Sequence, residues 1–137
     1  MQLESKTSGF FDPALTAAQA HNEAMSLPMA EIVAGLVDLL GATAVASIMG
    51  VKETRAVQQW VSGQREPQRP HVLRFALQLT LMICSPQSRE LGRAWFHGAN
   101  PALEDRSPLA LLRDHPLEEV QFTLMSAARS FREHAAE

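Results

Sequence analysis

Between Gly41 and Gly63 the chain reads GATAVASIMGVKETRAVQQWVSG. Six of its side chains, Lys52, Thr54, Arg55, Gln58, Gln59 and Ser62, are types that hydrogen-bond to base edges and phosphates. Arg donates to guanine and Gln pairs with adenine. Contacts of this kind need the side chains to stand on one face of a rigid rod. Val57, Trp60 and Val61 supply the opposite face at helical spacing. A preceding short helix is expected from Ala42 to Met49, with Ala42, Val45, Ala46, Ile48 and Met49 apolar. Gly50-Val51-Lys52 forms the corner, and the second helix starts near Glu53 or Thr54 and runs to Ser62, with Gly63 as its stop. Glycine takes a positive φ at both places without a Cβ clash. Two helices joined by a short glycine-containing turn describe a helix-turn-helix, whose second helix enters the major groove. The alternative is a helical hairpin with a solvated polar face. The following QREPQRPH carries Arg65 and Arg69, which either touch phosphates beside the second helix or only solubilise the segment.

Bulk properties set limits on these readings. The chain has 137 residues, of which 46% are hydrophobic, enough for a packed core and too many for a disordered chain. Net charge is −3, which does not by itself suit a nucleic-acid binder, so its distribution decides more. Residues 1–40 hold one base and five acids, residues 41–75 hold five bases and two acids, and residues 76–137 hold six bases and eight acids. The positive segment coincides with the helix-turn-helix. Five bases give weak attraction alone, so tight binding calls for a dimer or larger assembly. The longest apolar run, Val72 to Cys84, is too short and too interrupted to span a bilayer, and no signal peptide is evident. A cytoplasmic protein without membrane contact is expected. Cys84 is the sole cysteine and reads as a small buried hydrophobe.

The remaining pattern is helical throughout, with no alternation suited to a strand. Asp12-Pro13 opens a helix with a thin inward face of Ala14, Leu15, Ala18 and Met25, ending before Pro28. A stronger helix, Met29 to Leu40, carries Ile32, Val33, Leu36, Leu39 and Leu40, with Gly35 marking a close contact. Pro70 opens a nearly all-apolar helix to Cys84 that reads as a spine or a dimer interface. A helix from Pro86 to His97 turns Leu91, Ala94 and Trp95 inward, with Gly98 as its cap. Asn100-Pro101 forms a turn, Leu103 plugs the core, and Ser107-Pro108 starts a short helix with Leu109, Leu111 and Leu112. The last helix, Pro116 to Ala135, has its stripe at Leu117, Val120, Leu124, Ala127 and Phe131. Phe122 and Met125 fall off that stripe and form either a satellite cluster or a contact face for another protein.

No reaction chemistry emerges. The histidines, His21, His71, His97, His115 and His134, never pair at helical ligand spacing, and one cysteine cannot build a structural zinc site. There is no phosphate-binding glycine loop and no nucleophile motif. No enzyme activity, metal or cofactor is expected.

Two separated stretches, MGVKETRAVQQWVSGQREPQRP and WFHGANPALEDRSPLALLRD, together resemble the Xre/MbcA/ParS family of bacterial antitoxins. The second carries the family's pattern of a Trp-containing helix, Asn-Pro-x-Leu, Arg and Ser-Pro-x-x-Leu-Leu at Trp95, Asn100, Pro101, Leu103, Arg106, Ser107, Pro108, Leu111 and Leu112. The resemblance spans about residues 30–125. It implies an all-α chain, an Xre-like helix-turn-helix bundle followed by a small helical toxin-binding domain. The divisions are 1–27, an N-terminal extension, 28–70, the DNA-binding region, 71–84, a connecting core helix, and 85–137, the toxin-binding region. It also implies a protein partner, a RES-domain toxin that consumes NAD, and repression of the chain's own double-stranded promoter DNA. DNA contacts then fall to Lys52, Thr54, Arg55, Gln58, Gln59, Ser62, Arg65 and Arg69. Toxin contacts fall to Trp95, Asn100, Leu103, Arg106, Leu109, Leu112, Phe122, Met125, Arg129 and Arg132. Reading two half-sites needs two copies, so a homodimer or a larger assembly with toxin is expected. A stand-alone regulator or adaptor of the same fold is the alternative.

Overall fold

A computed structural model describes residues 15–84 and 88–135. Among them the chain is all helical, with eight α-helices and one 3-10 turn. The helices are α1 (Ala17–Ser26), α2 (Met29–Leu40), α3 (Ala42–Ile48), α4 (Thr54–Ser62), α5 (Pro70–Ile83), α6 (Arg89–His97), α7 (Pro108–Asp114) and α8 (Leu117–Ala135). The buried apolar side chains form one continuous cluster from Ala20 to Ala128. Helix α5 runs through its middle and packs on α1, α2, α6 and α8. It earns that place by being apolar on nearly every face, from Val72 and Leu73 to Met82 and Ile83. Helix α4 sits on α2 and α3, and α7 bridges α3, α6 and α8.

Helix α1 differs from its expected form. It begins at Ala17, where a capping box holds Thr16: the Thr16 hydroxyl accepts from the Gln19 N–H at 3.2 Å, and the Gln19 side chain accepts from the Thr16 N–H at 3.0 Å. Asp12, Pro13 and Ala14 lie outside the described residues. The inward face is Ala20 and Ala24, whereas Ala18 is exposed and Met25 is 56% exposed. Small side chains let α1 lie close on α5, so the face is thin because the approach is tight. In α6 the inward residues are Trp95 and Phe96; Leu91 and Ala94 point outward. Its expected beginning at Pro86 lies outside the described residues. Gly92 is buried against α5, and a Cβ there would overlap the Cys84 Sγ. Gly98 caps α6 as expected, its N–H donating to the Ala94 carbonyl at 2.9 Å, though at φ −87° and not in the left-handed region. It is tight, because a Cβ would come within 2.8 Å of the Ala94 carbonyl.

Three arginines are spent inside the fold on the carbonyls that helices leave unpaired at their C-terminal ends. Arg74 donates to the Ala24 and Leu27 carbonyls at 2.9 and 2.8 Å, closing α1. Arg93 Nε donates to Leu39 at 3.0 Å, closing α2. Arg69 donates to Ile48 at 3.0 Å and to Leu112 at 3.3 Å, closing α3 and α7 together. A cation at a helix C-terminus also meets the negative end of the helix dipole. No single described helix is long and apolar enough to cross a membrane; α2 and α3 pass such a test only taken together, bent by 118°.

Candidate nucleic-acid interface

Helices α3 and α4 meet across Gly50, at φ 73°, and α4 ends at Gly63, at φ 82°. Both are left-handed, which any L side chain adopts at a cost. The Gly63 and Gln64 N–H groups return to the Trp60 and Gln59 carbonyls and close α4. Val57 and Trp60 are buried beneath it, but Val61, expected to share that face, is 37% exposed. The reason is angular: Val57 and Trp60 fill the contact with α2 and α3, and Val61 stands at its rim.

The outer surface collects most of the polar residues anticipated for base and phosphate contact. Lys52, Arg55, Gln58 and Ser62 are exposed, and Thr54 and Gln59 are partly exposed. Two shallow depressions run along it, of about 480 and 320 Å³. The first is floored by Val51 and Ala56 and edged by Lys52, Arg55 and Arg65; the second lies between Arg55, Gln58 and Ser62. Arg65 is exposed and reaches the Gln59 side-chain oxygen at 3.5 Å, which holds it over this surface. One acid, Glu53, also lines the first depression. Among the described residues neither Lys52 nor Arg55 is engaged in an ion pair. Arg69 departs from expectation. Both of its terminal nitrogens bind helix carbonyls, so within the fold it serves as a structural tie.

The residues assigned to toxin contact divide sharply. Trp95, Leu103, Leu109 and Leu112 are buried, between 1% and 7% exposed, and cannot touch a partner as the fold stands. Trp95 packs edge-on against Phe96, with centroids 5.1 Å apart, and at a tilt against Phe131. Its indole nitrogen is buried with no hydrogen-bond partner among the described residues. Asn100 is also architectural: its side-chain oxygen accepts from the Ala102 N–H at 2.9 Å and caps the 3-10 turn Pro101–Leu103. Its backbone N–H bonds the Arg106 carbonyl, making an isolated bridge across the loop. Ser107 then caps α7 through the Ala110 N–H at 3.1 Å.

Arg106, Phe122 and Arg129 are exposed, and Met125 and Arg132 are partly buried. Phe122 is 82% exposed and forms no satellite cluster. Arg106 lies 3.2 Å from the His115 ring nitrogen and 3.4 Å from Asp114. Asp114 is in turn gripped by Arg113 at 2.7 and 2.9 Å, and those hydrogen bonds hold its carboxyl below the usual carboxylate range. The loop presenting Arg106 carries two non-glycine residues in the left-handed region, Glu104 at φ 57° and Asp105 at φ 65°. Positions of this kind cost energy and persist where surrounding structure over-determines them.

Sequence reasoning missed the helix-closing roles of Arg69, Arg74 and Arg93, which depend on carbonyls distant in the chain and carry no local signal. It also missed the capping box, which Thr16-Ala-Ala-Gln19 does display. Among the described residues no group of three or more His, Cys, Asp or Glu side chains is placed to hold a metal. Burial pushes the Cys84 thiol up to about 12, which makes it a poor nucleophile. Comparison of the chain with known protein families, with characterised proteins and with solved structures finds no significant match.

Proposed function

We propose that this chain is a DNA-binding regulator of the helix-turn-helix type, cytoplasmic, and the antitoxin of a type II pair whose partner is a RES-type, NAD-degrading toxin. On this reading α4 enters the major groove of the chain's own promoter. One observation carries it. The outward surface of α4 gathers Lys52, Arg55, Gln58 and Ser62, with Arg65 alongside, on a chain whose net charge is −3. An acidic protein that concentrates hydrogen-bonding and cationic side chains on one exposed helix has a surface suited to a duplex. The antitoxin half of the reading rests on the resemblance, and on the strained, exposed loop that presents Arg106. That loop is where a toxin would make contact.

A stand-alone regulator is the second reading, favoured by the burial of Trp95, Leu103, Leu109 and Leu112. A motif that builds the core needs no partner to explain it. Two experiments decide. In gel-shift titrations on DNA from upstream of the gene, Arg55→Ala and Gln58→Ala are expected to weaken binding, while Arg113→Ala is not; equal loss in all three moves the contacts elsewhere. Co-expression with the product of the adjoining gene is expected to relieve its toxicity, and unchanged toxicity leaves the stand-alone regulator.

A further inference from the structure

Helix α8 presents a second stripe, exposed at Glu118, Phe122 and Arg129 and partly buried at Met125 among the described residues. Glu118, Phe122, Met125 and Arg129 follow one another at steps of four, three and four residues. At about 100° per residue these four side chains fall within an arc of about 60°. Phe122 is 82% exposed, the most exposed large hydrophobic side chain among the described residues. Beside it runs a groove of about 380 Å³, where Phe75 and Gln78 of α5 and His21 of α1 meet the stripe. Neither Glu118 nor Arg129 has a salt bridge among the described residues.

We propose that this stripe is the contact face of a homodimer, in which α8 of two copies pack antiparallel about a two-fold axis between Phe122 and Met125. A two-fold contact requires that residue i meet residue j and that j meet i. The stripe has that property: centring it between Phe122 and Met125 sets Phe122 on the second copy's Met125 and Glu118 on the second copy's Arg129. Each apolar side chain then meets an apolar one and each charge its opposite, twice over. Steps of four, three and four are also the seam spacing of paired helices. A parallel pairing fails, because it sets Glu118 on Glu118 and Arg129 on Arg129. An antiparallel pairing shifted by one turn sets Glu118 on Met125 and leaves Arg129 opposite nothing. The partner that fits is therefore a second copy of this chain. Four side chains per copy make a small contact, and exposed ion pairs add little, so the dimer is a weak, concentration-dependent one.

Sedimentation velocity of the full chain, without DNA, from low to high micromolar concentration tests this. The wild type is expected to move from monomer to dimer. Glu118→Arg and Arg129→Glu should each raise the midpoint concentration by about tenfold or more, a change of about 1.4 kcal/mol. The double variant E118R/R129E restores the opposite charges and should return the midpoint to near the wild-type value. Phe122→Glu should give monomer throughout, with an unchanged far-ultraviolet circular dichroism spectrum showing that the fold survives. A monomer at every concentration, or a double variant no better than the single ones, overturns the proposal. So does a Phe122→Glu variant that still dimerises but no longer captures the adjoining gene's product, because the face then belongs to that protein. Because DNA is left out, failure here and failure of the α4 reading are separate results.

Discussion

Around α4 the polar side chains stand outward over a helix held from behind by Val57 and Trp60, and few of them are needed for the fold. Between α6 and α7 the opposite arrangement holds. There Trp95, Leu103 and Leu112 are buried, Asn100 and Ser107 close backbone turns, and Arg106 alone of the toxin-contact residues in that stretch is left in water. The difference teaches that a distinctive pattern and a contact surface need not coincide. In the first region the exposed side chains available for binding can change at little cost to the fold. In the second nearly every change is a change to the core, and the surface left over is one charged loop.

The largest expected effects come from the buried aromatics on either side of that contrast. Trp60→Ala and Phe96→Ala should each destabilise by about 3–5 kcal/mol in denaturant melts; a near-neutral Trp60→Ala would mean that α4 is not anchored as described. Next comes Arg69→Ala, which strands the carbonyls of Ile48 and Leu112 and should cost about 2 kcal/mol. If Arg69 were instead a phosphate contact, its loss would weaken DNA binding and leave the melt unchanged.

Cys84 gives a smaller effect, through pH. Its thiol is pushed by burial from an ordinary 9.0 up to about 12, so the folded state disfavours the thiolate. The neutral thiol's contribution is fully present below pH 9 and is lost as pH rises toward 12. By pH 10 the loss is about 1.4 kcal/mol, and Cys84→Ala should remove that alkaline slope from the melting profile. Arg55→Ala stands at the lower end for stability, within about 0.5 kcal/mol. It should nonetheless weaken DNA binding and reduce the salt slope by about one if Arg55 meets a phosphate. A large drop in stability would instead give α4 the same character as the rear of the molecule. Arg106→Ala is likewise expected to move an isolated melt little, since its exposed pairs with Asp114 and His115 contribute under about 1 kcal/mol.

Most helices were legible because apolar spacing and proline punctuation agree. Met29 to Leu40 and the corner at Gly50 follow from local pattern and from the φ that glycine allows. The face of α1 was misread because large side chains were sought where close packing selects Ala20 and Ala24. In α6, Leu91 has the right spacing and the wrong side, since Phe96 takes the core position that periodicity leaves open. Charge was the least legible property. Arg65 and Arg69 lie four residues apart in the same proline-rich segment, and nothing local separates the one that faces solvent from the one that ties two helices. The same holds for Phe122, whose exposure is set by what α1 and α5 leave uncovered beside α8.

Arg69 has a consequence for how the molecule comes apart. One guanidinium holds the last carbonyl of α3 and a carbonyl in the final turn of α7. If either helix end frays, the partly buried guanidinium is left half satisfied, so each end raises the cost of opening the other. With α5 shared by both ends of the core, unfolding is coupled across the chain. The chain's two tryptophans report from the two sides of that coupling, Trp60 beside α3 and Trp95 beside α7. Their fluorescence should change along one denaturation curve, and substituting Arg69 should pull the two curves apart.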